Sequence, residues 1–371
     1  MNNKLFVDFH IIQTIPPSCV NRDDTGSPKT AIYGGVRRAR ISSQAWKKAT
    51  RDLFKEMLEK DRLAQRTKDI VGMVIEQIPN ADGIENLKEK VHNLINYASA
   101  KISKPLIPDN KNIEAEDNIS DLSASSALYF LGYYEAKELA KLLIRQENGE
   151  KIGKEEVLHA MSAKKGGQHS QSLAIETALY GRLFTNQPLL NTDASCQVAH
   201  AISTHKVDIE FDYFTAIDDR SLEDNAGAGM IGTIEFNSYT LYRYATIAAH
   251  DLKNQLRGAP EAAEAVAKFA EAFITSMPTG KQNTFANRTV PDYIMITVRR
   301  DQPINLVGAF EEPVKTFDGG YIKQSIKKIT EYKETVYKNF CDRPLVEYII
   351  PGDNNLSETI ELLKNKVGEE L

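Results

Sequence analysis

The sequence predicts an α+β fold with long β-hairpins, and two observations support this prediction. Strand-like apolar runs and helix-like segments with apolar residues every three or four positions follow one another along the chain. A stretch rich in β-formers, Cys196–Ile247, is long enough for an extended hairpin. The 371 residues can bury one large core or two smaller ones, and 42% hydrophobic with 26% charged residues is typical of a folded globular protein.

The first predicted elements are a strand, a loop and a helix. Leu5–Ile12 carries β-branched and aromatic residues on both faces, which predicts a strand covered on both sides. After it comes PPSCVNRDDTGSP, whose prolines, aspartates and glycine predict a long irregular loop. Ser42 or Ser43 is a suitable N-cap for a helix whose apolar stripe begins with Trp46 and Ala49.

The middle of the chain predicts a helical insertion followed by a hairpin. Residues 61–151 are polar, have a helical period and are interrupted by PNADG and KPLIPDNKN, which favours helices outside the main sheet. Residues 164–172, KKGGQHSQS, predict a loop. Two strand-like arms flank DRSLEDNAGAGMIG and predict a hairpin with an extended, mobile tip. The later predicted elements are a helix at Glu261–Met277, a strand at 292–299, a helix at Tyr321–Phe340, a strand at 344–350 and a helix at Leu356–Leu371.

The distribution of charge is the strongest functional signal. The chain has 46 Lys and Arg against 51 Asp and Glu, a net charge of -5, yet Thr25–Arg51 contains cations and no acid. These cations are Lys29, Arg37, Arg38, Arg40, Lys47, Lys48 and Arg51. A local basic surface on an acidic protein indicates a polyanionic partner that contacts this surface.

We call Thr25–Arg51 the basic segment, and other residues in it also suit phosphate. Ser42 and Ser43 offer hydroxyl and backbone N–H groups at a helix start, and arginine forks match phosphate oxygens. We expect Lys47 and Lys48 in the first helical turn, where the dipole disfavours cations unless an anion is close. The glycines of YGGVRR would let backbone approach a phosphate, although two glycines also mark any tight turn. The alternative to phosphate binding is a charged face that only contacts solvent. The Gly, Ser and Gln residues interleaved with the cations disfavour this alternative, because phosphate contacts use such residues.

Evidence for catalysis or metal binding is weak. His200 and His205 are five residues apart, so on one strand they would point to opposite faces, which favours structural or surface roles. Cys19, Cys196 and Cys341 lie far apart without a metal-binding spacing. Since no recognised catalytic or nucleotide-binding motif occurs, we expect neither enzymatic activity nor a cofactor or metal.

The N-terminal sequence gives the expected compartment. MNNKLFVDFHIIQTI lacks the basic start, long apolar core and cleavage site of a signal peptide. No apolar run reaches the ~18 residues that a transmembrane helix needs. We therefore expect a cytoplasmic protein without membrane contact.

Several blocks of the sequence resemble one known family. The CasC family, the guide-RNA-binding backbone subunit of the type I-E CRISPR surveillance complex Cascade, opens with a block similar to PPSCVNRDDTGSPKTAIYGGVRRARISSQAWKKATR. Further blocks resemble that family in the same order: TALYGRLF, VAHAISTHKVDIEFDYFTAIDD, GTIEFNSYTLYRYA and GKQNTFANRTVPDYIMI. The resemblance spans the chain and is weakest in the helical insertion and the last third.

The resemblance implies a hand-shaped subunit and an assembly. Its palm is a modified RRM-like (ferredoxin-like) sheet at residues 1–60 and 171–371, with helical fingers inserted at 61–170 and a β-hairpin thumb at 203–236. Copies of such a subunit stack along one CRISPR RNA beside other Cascade subunits. They hold its backbone and kink out bases at regular intervals, and the remaining bases pair with target DNA in antiviral defence.

The basic segment and the resemblance together give candidate RNA-binding residues. They are Asn21, Arg22, Lys29, Arg37, Arg38, Arg40, Ser42, Ser43, Gln44, Lys47, Lys48, Arg51, Lys281, Gln282 and Asn283. By resemblance, Leu183 after YGR and Ile231 in GMIGT are apolar wedges that separate bases. Two departures from the family pattern are Glu176, where Asp is usual, and a longer hairpin tip.

Two alternatives to this assignment stay open. One is an RRM-like CRISPR endoribonuclease that cuts precursor RNA with a histidine, tyrosine or lysine. The other is a standalone RNA-binding protein outside CRISPR defence.

Overall fold

Strands and helices alternate in the computed structural model, which confirms the α+β class. It describes residues 4–97, 124–184, 187–216, 230–316 and 319–371. The strands are β1 (Phe6–Ser18), β2 (Thr30–Tyr33), β3 (Val36–Ile41), β4 (Ala64–Asp69), β5 (Ala124–Gly132), β6 (Lys164–Lys165), β7 (Gln168–His169), β8 (Cys196–Val198), β9 (Ala201–Ser203), β10 (Glu210–Ala216), β11 (Met230–Ala248), β12 (Tyr293–Arg299) and β13 (Val346–Ile350). The helices are α1 (Ser43–Met57), α2 (Ile70–Ile75), α3 (Leu87–Tyr97), α4 (Tyr133–Glu147), α5 (Lys154–Ala160), α6 (Ile175–Tyr180), α7 (Ala249–Leu256), α8 (Ala259–Thr275), α9 (Gln282–Phe285), α10 (Ile322–Asn339) and α11 (Leu356–Glu370). None of these described helices is long and apolar enough to cross a membrane.

The chain divides into two compact units. The first unit comprises Met1–Leu53, Val198–Thr246 and Ala267–Lys366. The second unit comprises Phe54–Gln197, Ile247–Val266 and Val367–Leu371. Each unit is therefore built from segments that are distant in sequence.

An antiparallel sheet is the framework of the first unit. Its strand order is β13-β12-β1-β11-β9-β3-β2, and β10 pairs with β11 outside this path. β12 runs antiparallel to β1 and β13, and β3 runs antiparallel to β2 and β9. Consecutive β2 and β3 lie at one edge of this order, beside the start of α1, so the basic segment is placed at that edge.

Strand β1 is covered on both faces, as its sequence predicts. Phe9 packs with its ring 5.4 Å from that of Phe269 on α8. On the opposite face Ile12 belongs to a buried cluster with Tyr242 and Phe310. Burial of each such side chain contributes about 1.5–3 kcal/mol to folding, which makes β1 the centre of the first unit's core.

β1 also extends further than its sequence predicts. The prediction ended the strand at Ile12 and placed a loop from Pro16, whereas β1 continues to Ser18. The defined register between β1 and β12 stops at the pair Ile12–Tyr293, so both prolines lie beyond it. A proline there interrupts no hydrogen bond between these two strands, and β11 borders β1 on its other side in the sheet order.

The predicted long hairpin is present as β10 and the first part of β11. Its register runs from Glu210–Phe236 to Ala216–Met230. Residues 201–203 are separate from it, because they form β9 and pair with both β3 and the later part of β11. Of the extended tip that the sequence predicts, DRSLEDNAGAGMIG, only Met230, Ile231 and Gly232 lie within the described residues, and they belong to β11.

The second unit has a helical core and a hairpin of its own. Side chains of α2, α3, α4 and α5 form one buried cluster that includes Val74, Leu94, Leu139 and Val157. β4 and β5 pair antiparallel in a two-stranded sheet separate from the main one. The predicted loop at KKGGQHSQS contains the short hairpin of β6 and β7, whose turn glycines both have positive φ.

Candidate nucleic-acid interface

The loop before β2 has a defined conformation despite its turn-forming residues. The Asp23 carboxylate accepts hydrogen bonds from the backbone N–H groups of Thr25 and Ser27 at 3.0 and 3.1 Å. The N–H of Lys29 donates to the carbonyl of Asn21 at 2.8 Å, which closes the loop. Arg22 and Lys29 are thereby held at defined positions on the surface.

The start of α1 uses two of the candidate RNA-binding residues internally. Ser42 is the N-cap, since its Oγ accepts from the Ala45 N–H at 3.3 Å. Its own N–H donates to Asn21 Oδ1 at 2.9 Å, so Asn21 joins the loop to the helix. Ser43 and Gln44 are the first two residues of α1, where backbone N–H groups have no partner within a helix.

Lys47 and Lys48 lie one turn further along α1 than the sequence analysis expected. α1 begins at Ser43, so these lysines occupy its second turn rather than its first. The helix dipole acts mainly over the first turn, so it does not disfavour these lysines and gives no reason to expect an anion beside them. Lys48 also forms an ion pair with Asp52.

Arg38 has a structural position that does not suit the expected phosphate contact. Its side chain is fully buried, with a relative exposure of 0%. The guanidinium donates to four backbone carbonyls, those of Tyr33, Ser203, Phe310 and Glu311, at 2.8–3.2 Å. Because these carbonyls occupy its donors, Arg38 joins segments of the first unit and is withdrawn from the candidate interface.

The other two arginines of β3 remain accessible but on different faces. Alternation along the strand puts Arg40 on the same face as Arg38, and Arg37 on the opposite face. Arg40 donates through Nε to the Thr30 carbonyl at 3.2 Å and through Nη1 to His200 Nδ1 at 3.1 Å. The structure therefore brings Arg40, and not Arg37, together with the loop that carries Lys29.

The two glycines of YGG form a turn and leave no room for a ligand at Gly34. Gly34 and Gly35 connect β2 to β3 with φ angles of +58° and +73°. A Cβ on Gly34 would lie 1.7 Å from the carbonyl oxygen of Glu311. Of the two readings of this motif, the tight turn is the one that the structure supports.

A second segment, Gly280–Asn283, lies against the loop. A Cβ on Gly280 would be 2.0 Å from the Val20 carbonyl oxygen, so only glycine permits this approach. Lys281 has a φ of +52°, and Gln282 begins α9.

The loop and the Gly280–Asn283 segment each place a cation near Cys19. Burial raises the pKa of the Cys19 thiol, while the positive charges of Arg22 and Lys281 both act to lower it. Residues that are far apart in sequence thus surround one short stretch of the loop.

Cations with free donors lie on the loop, on β3 and on the segment that contacts the loop. Within the described part of the chain, the side chains of Arg22, Lys29 and Lys281 make no hydrogen bond or ion pair. Together with Arg40 they form what we call the basic surface: Arg22, Lys29, Arg40 and Lys281. Their free donors and the N–H groups at the start of α1 are groups that bind phosphate.

The hairpin of β10 and β11 carries an exposed apolar face. Phe211 and Tyr213 are two residues apart and share a face of β10, and Ile231 joins them because it pairs with Thr215. These three side chains are 66%, 64% and 61% exposed. The resemblance predicts Ile231 as a wedge but gives no role to the two aromatic residues, which the alternation in EFDYF indicates.

Leu183 is held in an exposed position by its buried neighbours. Arg182 is buried and donates from Nη1 to both carboxylate oxygens of Glu135 at 2.8 and 2.9 Å. Phe184 is buried with its ring 4.7 Å from Tyr129, whereas Leu183 is 72% exposed. An apolar side chain fixed outward between two anchored residues can act as a wedge.

Glu176, one of the two departures from the family pattern, has a structural role. It is buried, and its carboxylate accepts from the backbone N–H of Ala64 at 2.7 Å.

The buried histidines have structural roles. His205 is stacked on Tyr321 with ring centroids 3.5 Å apart, and it accepts from the Thr240 N–H through Nε2. Burial lowers its pKa to about 4. His10 is buried beside Tyr242, and burial lowers its pKa to about 3. Among the described residues, no cluster of His, Cys, Asp and Glu suits a metal ion.

The family follows from comparison with known proteins. The chain matches the CT1975-like protein family over residues 7–368. It belongs to that family. No curated protein gives a significant match to this CT1975-like chain.

Two solved structures are similar to this CT1975-like protein over its whole length. A chain of a "CRISPR RNA-guided surveillance complex, pre-nicking" is 28% identical with a TM-score of 0.77. A chain of a "CRISPR RNA-guided surveillance complex" is 25% identical with a TM-score of 0.59. In each case the match covers 99% of this chain and 100% of the other, so both units belong to the shared fold.

Proposed function

We propose that this CT1975-like protein is the CRISPR RNA-binding backbone subunit of a type I-E Cascade complex, a member of the CasC family. The observation that carries the proposal is the basic surface on an otherwise acidic chain. Family membership and the likeness to chains of CRISPR surveillance complexes support a Cascade-type component. In this proposal the first unit supplies a modified RRM-like palm and the hairpin of β10 and β11 is the thumb.

The basic surface would hold the RNA through its phosphates. Arg22, Lys29, Arg40 and Lys281 provide charged donors, and the N–H groups at Ser43 and Gln44 provide neutral ones. Phosphate contacts carry no sequence information, which is what a subunit that accepts any guide requires. Gln282 and Asn283 follow Lys281 and remain candidate contacts.

The exposed apolar residues would separate bases. Insertion of an apolar side chain costs a few kcal/mol of unstacking, which the phosphate contacts of the bent strand offset. Leu183 and Ile231 are the wedges in this proposal, and Phe211 and Tyr213 add an aromatic face next to Ile231. The bases between the kinks would remain ordered for pairing with target DNA.

The proposed role is not catalytic. The buried, stacked ring of His205 supports this view against an endoribonuclease that would use this histidine. The protein would work in the cytoplasm, with copies of itself and the other Cascade subunits as partners.

The test is binding to labelled RNA that contains a CRISPR repeat and spacer. We expect discrete complexes whose number increases in steps with RNA length, and intact RNA after incubation with EDTA. Metal-independent cleavage would favour the endoribonuclease, and a single complex at every RNA length would favour a standalone RNA-binding protein.

A further inference from the structure

His200 is an exposed histidine immediately before β9 that the proposed RNA contacts do not use. Its Nδ1 lies 3.1 Å from Arg40 Nη1. A guanidinium has only donors, so Nδ1 accepts this hydrogen bond and the ring carries its proton on Nε2. Arg40 therefore fixes the tautomer and leaves one N–H donor on the far side of the ring.

Two cations act on this ring. Partial burial lowers the pKa of His200, and the positive charges of Arg40 and Lys29 lower it further. Among the described residues, these are the charged groups that shift it. The ring is therefore neutral at pH 7–8. Its Nε2–H can donate a hydrogen bond without adding a third positive charge beside Arg40 and Lys29.

The side chain of Arg40 is oriented by hydrogen bonds to its neighbours, and its Nη2 group remains free to bind a ligand. Nε is bound to the Thr30 carbonyl and Nη1 to His200, and the backbone N–H of Arg40 donates to the Lys29 carbonyl at 2.9 Å. No acceptor for Nη2 lies among the described residues. Lys29, Arg40 and His200 thus form a compact set with an ammonium, a guanidinium edge and a neutral N–H donor.

We propose that Lys29, Arg40 and His200 together bind one phosphate group of the RNA, with His200 as a neutral donor through Nε2. This inference rests on the proposed function, to which it adds a contact. His200 contributes a hydrogen bond and not a charge, so its loss weakens binding without changing the number of ions that RNA binding releases.

The matched variants are His200→Gln, His200→Asn and His200→Ala. Glutamine places an N–H near the position of Nε2, whereas asparagine places an acceptor near the position of Nδ1. At pH 8 we expect His200→Ala and His200→Asn to bind mixed-sequence single-stranded RNA about tenfold more weakly, and His200→Gln to recover most of this loss. Equal binding by all variants would overturn the proposal. Recovery by asparagine and not glutamine would also overturn it, since His200 would then only orient Arg40.

The salt dependence of affinity separates a neutral donor from a cation. His200→Ala should keep the wild-type slope of log K against log salt, whereas Lys29→Ala should reduce it by about 0.7. Lys323→Ala, which removes an exposed lysine of α10, should change neither slope nor affinity. A reduced slope for His200→Ala would contradict the neutral role.

Inorganic phosphate provides a probe that does not depend on RNA binding. In protein with 15N-labelled histidine, phosphate should shift the Nε2 signal of His200, identified by its loss in His200→Gln. If RNA does not bind but phosphate shifts this signal, the proposed function fails and the phosphate site stands. If RNA binds and phosphate leaves the signal unchanged, the phosphate site fails alone.

Discussion

At the scale of residues, neighbouring arginines of similar sequence context have different environments. Arg38 and Arg40 both lie on β3 and on the same face, but Phe310 and Glu311 cover Arg38 with their carbonyls. The sequence cannot reveal this cover, because residues 310–311 are remote along the chain. Charge and spacing identified the basic segment, while tertiary contacts decide which of its cations can reach a ligand.

The difference between the buried Arg38 and the accessible cations predicts that one substitution affects stability and the other affects RNA binding. Arg38→Met removes donors from four carbonyls, two of them buried, and should lower the free energy of unfolding by about 3 kcal/mol. Lys29→Met should change stability by less than about 0.5 kcal/mol and weaken RNA binding instead. Urea unfolding and RNA titration of both variants test this, and a stable Arg38→Met protein with weakened RNA binding would restore Arg38 to the interface.

Asp8 predicts a pH dependence of stability. It is buried in β1 and accepts from Tyr244 Oη and the Ile304 N–H, each at 3.0 Å. Burial raises its pKa from 3.8 to about 6, so the folded state binds a proton more tightly than the unfolded state. Its contribution to stability is therefore fully present below pH 4 and is lost as pH rises through 6, by about 3 kcal/mol in total.

The comparison with Asp8→Asn isolates this contribution from those of other groups. The stability of wild type relative to Asp8→Asn should fall between pH 4 and pH 7 in chemical denaturation. A difference that stays constant over this range would show that Asp8 titrates normally.

At the scale of elements, the sequence predicts periodic segments well and pairing poorly. α1, α8, α10, α11, β12 and β13 lie where apolar periodicity placed them. The pairing of β4 with β5 escaped prediction because residues 64–69 and 124–132 are far apart in sequence and β4 itself, AQRTKD, is polar. β1 continues through Pro16, beyond the end of its register with β12, and the sequence does not reveal where that register ends.

The contact between Gly280 and the loop predicts a specific defect. In Gly280→Ala the new methyl group would meet the Val20 carbonyl, so the segment that carries Lys281 must move. We expect weaker RNA binding together with a modest loss of stability. Gly83→Ala is the matched control because its Cβ would point into open space. Wild-type RNA affinity in Gly280→Ala would show that this segment does not contribute to the interface.

The two cations near Cys19 predict an electrostatic effect that is independent of RNA sequence. Arg22→Ala combined with Lys281→Ala should weaken binding of unrelated RNAs to the same extent. The slope of log K against log salt should fall by about 1.4, since each lost phosphate contact on a single strand contributes about 0.7. Binding isotherms at several salt concentrations measure this, and an unchanged slope would place the RNA elsewhere.

At the scale of the whole molecule, the basic surface is assembled from segments that the fold brings together. Arg22 and Lys29 precede β2, whereas Lys281 lies between α8 and β12. The candidate wedges belong to different units, with Ile231 in the first and Leu183 in the second. Lys281 and the wedges follow only from the resemblance to the family, since their spacing in the sequence gives no reason to associate them.

Substitution of the wedges should separate RNA binding from RNA shaping. Leu183→Ala and Ile231→Ala remove apolar atoms that are mostly exposed, so the folded state should lose little stability. Phosphate contacts remain intact, and overall RNA affinity should stay within about threefold of wild type because wedge insertion and unstacking nearly offset each other. The regular pattern of reactive, unstacked bases along bound RNA should weaken in each variant.

Chemical probing of base reactivity on a long RNA measures this pattern, and Leu189→Ala, at another exposed leucine of the second unit, is the control. A wild-type pattern in both wedge variants would mean that other side chains, with Phe211 and Tyr213 the first to test, separate the bases.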